Sequence, residues 1–301
     1  MRRVLAVVGK VLIGAGVLLL LFTAYQIWGT SIQEAHTQTQ LRSTLVQETN
    51  NQKIRQALAD AAALDKLPTG PPVLAPHTGD PAEGEPVGDI TIPRIGLNQV
   101  VVEGTDTPDL RKGPGHYIGT PMPGQAGNAA IAGHRTTYGH PFYNLDGVQK
   151  GDPIVVTTLQ GIFVYDAISS EVVSPSDNKV IENVPADWLT LTTCNPRFSA
   201  STRLIVHAQL AHSQLFPNSI LPPHGRVRRT QSNDLAGDSN VTVTDALFWG
   251  FLVVALGVLV LLVAHRYRRQ RWVAYGVGTA GLLVLLWFFF GAVSPLLPAS
   301  F

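Results

Sequence analysis

The sequence predicts a mainly β domain that is attached to a membrane by three helices. The β domain is indicated by about eight short β-prone runs between Val87 and Leu210, which Gly, Pro and Asn separate from one another. This spacing is typical of a small barrel or sandwich. The helices are indicated by three uncharged apolar runs of 18, 19 and 22 residues, each close to the roughly 20 needed to cross a bilayer. These runs are Val11–Trp28, Ala246–Ala264 and Trp272–Val293.

The composition excludes other classes of protein. Hydrophobic residues make up 45% of the 301-residue chain and charged residues only 14%. A disordered or nucleic-acid-coating protein would be polar and highly charged, so no nucleic-acid partner is predicted.

The clearest β-prone runs are residues 89–92, 99–102, 129–132, 153–158, 161–165, 189–193 and 203–206.

The distribution of charge predicts how the chain crosses the membrane. All 21 acidic residues lie between Gly29 and Asp245, together with 15 of the 22 basic ones. Because cytoplasmic flanks of membrane spans are rich in Lys and Arg, the N-terminus and the loop 265–271 are predicted to be cytoplasmic. The long middle segment is then outside a plasma membrane that the chain crosses several times. The seven flanking basic residues are Arg2, Arg3, Lys10, Arg266, Arg268, Arg269 and Arg271.

The first apolar run is interpreted as an uncleaved anchor and not as a signal peptide. The apolar region of a signal peptide has roughly 7–15 residues and ends at a small-residue cleavage site. Here the run has 18 residues and ends in Tyr25 and Trp28, which suit a membrane interface.

Composition also predicts the domain boundaries. Residues 31–67 are polar and helix-prone, which indicates a stalk that is helical at least in part, and the proline-rich and glycine-rich residues 68–87 indicate an extended linker. The remaining predicted segments are 1–30 (N-terminus and anchor), 88–212 (β domain), 213–245 (connector), 246–264 (span), 265–271 (basic loop), 272–293 (span) and 294–301 (tail).

Three residues at the ends of β-prone runs could carry chemistry. Cys194 is the single cysteine, so it has no internal disulfide partner and is a candidate reactive thiol. His134 follows a β-prone run, and Arg203 begins another run nine residues after Cys194. A structural role fits each of them alone, since a free cysteine is usually a small buried residue. Together they supply the nucleophile, proton carrier and fixed cation of acyl transfer.

The spacing of His134 and His140 fits no zinc site, and no metal is predicted.

The segments Ala132–Arg135 and Thr190–Cys194, followed by Arg203, resemble the sortase signature. The resemblance extends from about Gly88 to Leu210 and includes residues 89–95, which are similar to the first strand of a sortase. It implies an eight-stranded sortase-type β-barrel, here with one N-terminal and two C-terminal transmembrane helices. It also implies a cysteine transpeptidase that needs no redox or organic cofactor.

The resemblance also implies roles for particular residues. Cys194 would attack the Thr–Gly bond of a C-terminal sorting signal to form a thioester, with His134 as general acid/base and Arg203 as the group that positions the substrate and stabilises the oxyanion. The segment 134–142 is similar to class E sortases of high-GC Gram-positive bacteria, in which a tyrosine in this loop is associated with preference for LAXTG over LPXTG. Tyr138 is therefore a substrate-binding candidate, and Thr193 is a second one.

The implied partners are secreted surface proteins that carry a sorting signal, an amine acceptor from a cell-wall precursor or a pilin, and the membrane. The two C-terminal spans depart from the single anchor of class E. A C-terminal span resembles pilus-building class C enzymes, although the linker lacks their Asp-Pro-aromatic lid. A pilin polymerase, a cysteine peptidase with water as acceptor, and a non-catalytic surface-binding barrel are the alternative functions.

Overall fold

The computed structural model describes residues 2–47, 56, 67–77, 79–216, 243–267, 269 and 271–296. These residues belong to two compact units, one of apolar helices and one that begins at Thr30 and contains a β-barrel. Most of the predicted stalk beyond Gln47, most of the predicted connector and the end of the predicted tail lie outside the described residues. The helices are α1 (Arg2–Ala24), α2 (Thr30–Gln47), α3 (Thr107–Leu110), α4 (Val243–Arg266) and α5 (Arg271–Val293).

The helical unit contains α1, the π-helical turn Tyr25–Gly29 that follows it, α4 and α5. Three helices have the length and the apolar composition needed to cross a membrane: α4, α5, and the continuous helix that runs from α1 into α2. Aromatic rings pack within this unit, with the Tyr25 ring edge-on to Trp287 at a centroid distance of 5.0 Å. Gly278 of α5 faces Val260 of α4 without room for a Cβ. Small residues at such crossings let helices approach closely.

The barrel unit confirms the predicted fold class, since eight strands close into a barrel in the order β1-β2-β3-β4-β7-β8-β6-β5. The β2–β3 and β4–β7 pairs are parallel, and all the other pairs are antiparallel. The strands are β1 (Pro86–Ile92), β2 (Leu97–Glu103), β3 (Gly115–His116), β4 (Asn128–Ala132), β5 (Pro153–Thr158), β6 (Gly161–Val173), β7 (Trp188–Asn195) and β8 (Thr202–Leu215).

The barrel is closed around an apolar core whose members alternate along the strands. On β7, Leu189 and Leu191 are fully buried in this core, so Thr190, Thr192 and Cys194 lie on the opposite face, because successive strand residues point to opposite sides. The same alternation on β8 places Leu204 and Val206 inside. The other large buried core residues include Ile90, Ile92, Ile131, Phe142, Ile154, Phe163 and Tyr165. The polar face of β7 is therefore available to build a site outside the core.

Helix α2 lies along the barrel instead of standing apart from it. Leu41 packs against Val100 and Val102, and Leu45 packs against Leu159 and Phe216. The Gln38 side chain accepts a hydrogen bond from Val100 N and donates one to Val100 O, as a neighbouring strand would. The described part of the predicted stalk is thus attached to the barrel, which polar composition alone did not indicate.

The extended segment before β1 also follows the barrel surface. Ala75 belongs to the core cluster, and Val73 N donates a hydrogen bond to Ser213 Oγ at 2.6 Å. These contacts lie in the stretch that the composition predicts to be a linker.

Candidate active site

Strand register brings Cys194 and Arg203 together. The two residues are direct partners in the antiparallel β7–β8 ladder, and residues opposite each other on one face have Cβ atoms about 5 Å apart. Cys194 is half-buried, and Arg203 is 8% exposed. The Nη1 atom of Arg203 donates to the carbonyl oxygens of Ala200 at 3.0 Å and Thr202 at 3.1 Å. Its Nε is buried and makes no hydrogen bond within the described residues.

The parallel pairing of β4 with β7 places His134 beside Cys194. Ala132 is the register partner of Thr192, so His134 and Cys194 both follow their paired residue by two positions. Gly133 holds this arrangement from both sides, because its N donates to Thr192 O at 3.1 Å and its O accepts from Thr193 Oγ1 at 2.7 Å. A side chain at Gly133 would overlap the Phe142 ring. The structure therefore brings all three predicted catalytic residues to one end of adjacent strands.

Burial sets the protonation of the candidate pair. His134 is 7% exposed, and burial lowers its pKa to about 4, with a smaller contribution from the Arg111 guanidinium. Burial also raises the pKa of the Cys194 thiol, against the opposing effects of Arg203 and Arg135. At neutral pH the resting pair is therefore a thiol and a neutral imidazole. The Nε2 atom of His134 is buried and makes no hydrogen bond within the described residues.

Acid is expected to destabilise the protein through His134. The folded-state pKa of about 4 lies below the unfolded value of about 6.5. Between these values the unfolded chain binds a proton that the folded chain excludes, so the free energy of unfolding falls as the pH is lowered from 6.5 to 4. Denaturant unfolding of the full chain in detergent at pH 7 and pH 4.5 measures this loss, which His134→Gln should reduce by about 2 kcal/mol. Equal losses in the two proteins would contradict the buried neutral state of His134.

Tyr138 lies against His134 in a constrained loop. The two rings are 5.1 Å apart, and the Arg111 guanidinium lies 5.5 Å from the centre of the Tyr138 ring. Tyr138 N donates a hydrogen bond to Thr30 Oγ1 at the start of α2. Tyr138 itself has a φ of 48°, and the next residue, Gly139, has a φ of 70° and lies against the carboxylate of Glu34. The first turn of α2 thus supports the loop that follows His134.

Thr193, the other predicted substrate-binding residue, is fully buried, and its hydroxyl donates to Gly133 O. It joins β7 to the end of β4. A substrate contact by this hydroxyl stays a prediction.

A narrow cavity of about 30 Å³ lies beside Arg203. Its wall is formed by Tyr117, Thr192, Ile205 and the segment 173–181 at the start of the β6–β7 connection. The Tyr117 hydroxyl and Thr192 Oγ1 are hydrogen-bonded at 3.2 Å. Tyr138 does not line this cavity. Sequence reasoning missed Tyr117 because it follows a strand of only two residues, which leaves no alternating pattern.

Arg135 is a second residue that sequence reasoning missed. It is 4% exposed, and its guanidinium donates to the main-chain carbonyl of Cys194. In the sequence, Arg135 could have been recognised as a candidate because it directly follows His134. Among the described residues, no group of three or more His, Cys, Asp and Glu side chains is placed to hold a metal ion.

Comparison with known proteins identifies the barrel. Residues 90–211 match the family model of the sortase domain, so the chain belongs to the sortase family, a family of cysteine transpeptidases. Sortase SrtE1 of Streptomyces coelicolor is 33% identical over 224 residues, which are 69% of this chain and 57% of that protein. The chain thus spans less than two thirds of the length of this relative. Sortase SrtE2 of the same organism is 26% identical over 240 residues, with 73% of this chain and 87% of that protein covered.

Two solved structures of sortases are also similar to part of this chain. Sortase E from Streptomyces avermitilis is 40% identical, and the match covers 46% of this chain and 99% of that chain with a TM-score of 0.42. Sortase E1 from Streptomyces coelicolor with a tripeptide in the active site is 32% identical, with 47% and 99% covered and a TM-score of 0.43. The sequence similarity to sortases SrtE1 and SrtE2 confirms the resemblance to class E sortases found in the sequence.

Proposed function

We propose that this protein is a membrane-anchored transpeptidase that cleaves a C-terminal sorting signal between Thr and Gly and transfers the protein to an amine of the cell wall. The observation that carries the proposal is the register of three strands, in which Cys194 is paired with Arg203 and lies level with His134. Acyl transfer by a thiol needs a nucleophile, a proton carrier and a stabilised oxyanion in one place. The sortase family of the domain supports the same chemistry.

The resting protonation states define the first step. As the Cys194 sulfur attacks the carbonyl carbon of the threonine, its proton passes to the neutral imidazole of His134. Collapse of the tetrahedral intermediate breaks the C–N bond to glycine, and the imidazolium returns the proton to the leaving amine nitrogen. An acceptor amine then attacks the thioester, loses a proton to His134 and forms the new amide, while the sulfur regains its proton.

Arg203 is the group that stabilises the oxyanion in this proposal. Its guanidinium is fixed by two main-chain carbonyls, and its buried Nε–H has no acceptor among the described residues. A preorganised donor of this kind stabilises charge that develops on the carbonyl oxygen. A narrow cavity of about 30 Å³ lies beside this donor, between Tyr117 and the segment 173–181, and it has room for no more than a small group such as a methyl or a water.

The membrane topology follows from the charge distribution. We place the N-terminus and the basic loop 265–271 in the cytoplasm and the barrel outside, because the seven flanking basic residues are on the cytoplasmic side in this orientation. Secreted proteins with a sorting signal can then reach Cys194. The similarity to class E sortases supports an LAXTG-type signal.

Replacement of Tyr138 by phenylalanine is expected to change substrate preference more than thiol reactivity. Phenylalanine keeps the packing against His134 and Arg111 and removes only the hydroxyl, which we propose contacts the substrate backbone. The ratio of kcat/KM for LAXTG and LPXTG peptides should therefore shift, while the rate of Cys194 alkylation by iodoacetamide stays the same. An equal loss on both peptides would show that Tyr138 acts only by packing.

The proposed function is tested with the full chain in detergent. The protein is incubated with an LAXTG peptide, an LPXTG peptide and an amine acceptor such as a glycine peptide, and protein and peptide masses are followed. We expect a thioester on the wild-type protein, none on Cys194→Ala, and an amine-linked product. A free acid as the only product would identify a peptidase. Transfer only to a lysine side chain, offered in a parallel reaction, would identify a pilin polymerase. No adduct with any sorting peptide would refute the proposal.

A further inference from the structure

A buried arginine links the loop that carries His134 to the strand that carries Cys194. The Nη1 atom of Arg135 donates to the carbonyl oxygen of Cys194 at 3.2 Å and to Oδ1 of Asn195 at 2.6 Å. Its Nη2 pairs with Asp146 Oδ2 at 3.1 Å. One planar group thus holds three segments of chain, and the guanidinium is suited to this because its donors have a fixed geometry.

The hydrogen bond from Arg135 to the Cys194 carbonyl lies at the end of β7, beyond the last main-chain bond to β4. Main-chain hydrogen bonds join β4 to β7 as far as Gly133 N and Thr192 O. Two residues further along, the donor to the Cys194 carbonyl is the side chain of Arg135. The end of β7 that carries the thiol is therefore positioned from the β4 side by this guanidinium.

Charge gives Arg135 a second effect on the same residue. Asp146 is shared between Arg135 and Arg197, which approaches it at 2.9 Å. One carboxylate faces two guanidinium groups, so an excess of positive charge remains near Cys194. A nearby cation favours a thiolate, and both Arg135 and Arg203 lower the pKa of the buried Cys194 thiol.

We propose that Arg135 is a positioning residue for the nucleophile, which fixes the main chain at Cys194 and stabilises the thiolate as it forms. The inference rests on the proposed function of Cys194 as nucleophile. The two effects can be separated by substitution. Arg135→Lys keeps the charge but loses the fork of donors, whereas Arg135→Gln loses the charge.

The test uses the pH profile of iodoacetamide alkylation of the full chain in detergent, which reports one thiol because the chain has a single cysteine. We expect Arg135→Gln to move the thiol titration upward by about one pH unit and to lower kcat for the LAXTG peptide about tenfold or more, with a smaller change in KM. Arg135→Lys should keep the wild-type titration but still lower kcat. Arg94→Gln is the matched control, because Arg94 lies in the turn between β1 and β2 and forms its ion pair with Asp152, just before β5.

A titration and a kcat of Arg135→Gln that both match the wild type would overturn the proposal. A lower melting temperature without a shifted titration would also overturn it, since that result describes a merely structural residue. If Arg135→Gln does not fold, Arg135→Lys decides, and a wild-type kcat for that variant refutes the positioning role. Alkylation needs no sorting peptide, so an absence of acyl-enzyme in the wild type refutes the proposed function and leaves the effect of Arg135 on the thiol measurable.

Discussion

Cys194→Ala is expected to abolish acyl-enzyme formation and peptide cleavage while the barrel stays folded. The chain has no second cysteine that could replace the nucleophile. Cys194 is half-buried at a strand end and outside the apolar core, so loss of its sulfur leaves the core packing intact. In enzymes that act through a covalent nucleophile, its removal lowers kcat by about 10⁴-fold or more.

The measurement for Cys194 is kcat/KM with the LAXTG peptide, together with the melting temperature of the barrel by circular dichroism. Cys194→Ser is a useful second variant, because serine is similar in shape to cysteine but carries a hydroxyl in place of the thiol. Cys194→Ala with more than about one hundredth of the wild-type rate would exclude a covalent mechanism at this residue and favour the non-catalytic barrel.

Arg203→Ala is expected to lower kcat/KM by about a hundredfold or more. Loss of one oxyanion donor costs this much in other acyl-transfer enzymes, and Arg203 also lowers the pKa of the Cys194 thiol. Both effects act on the same reaction, so the loss in kcat should exceed the loss in thiol reactivity. Steady-state kinetics and iodoacetamide alkylation, measured on the same variant, separate the two contributions.

Arg203→Lys distinguishes charge from geometry at this position. Lysine retains the cation, but it cannot reproduce the donors to the Ala200 and Thr202 carbonyls and keep another donor directed at the substrate. The lysine variant should therefore recover thiol reactivity more than it recovers kcat. Full activity of Arg203→Lys would exclude a planar or bidentate role for the guanidinium.

The sequence singled out residues that the structure brings together where a local pattern was sufficient. Cys194 was recognised at the end of a β-prone run, and the structure places it on the face of β7 opposite the buried Leu189 and Leu191. His134 was likewise recognised by the glycine-bearing turn after a β-prone run, and Arg203 by its position at the start of another run. A closed eight-stranded barrel came from the resemblance, because the spacing of the runs was equally compatible with a sandwich.

Other parts of the site depend on contacts between distant segments. Arg135 and Cys194 are 59 residues apart, and no local pattern states that β4 and β7 are parallel neighbours. Strand β3 has two residues, so it is defined by its hydrogen bonds to β2 and β4 and not by its own sequence. The polar residues of α2 that face the barrel, such as Gln38, resemble solvent-exposed positions until their partners are known.

The parallel pairing of β4 and β7 also decides which changes of length the protein can tolerate. His134 and Cys194 are held level by hydrogen bonds between their own strands, and the lengths of the surface connections between them do not set their separation. Insertions or deletions in these surface connections, such as residues 174–187 between β6 and β7, can reshape the rim of the cavity without moving the nucleophile relative to its base. Substrate preference can therefore diverge among relatives by loop replacement while the reacting groups keep their geometry.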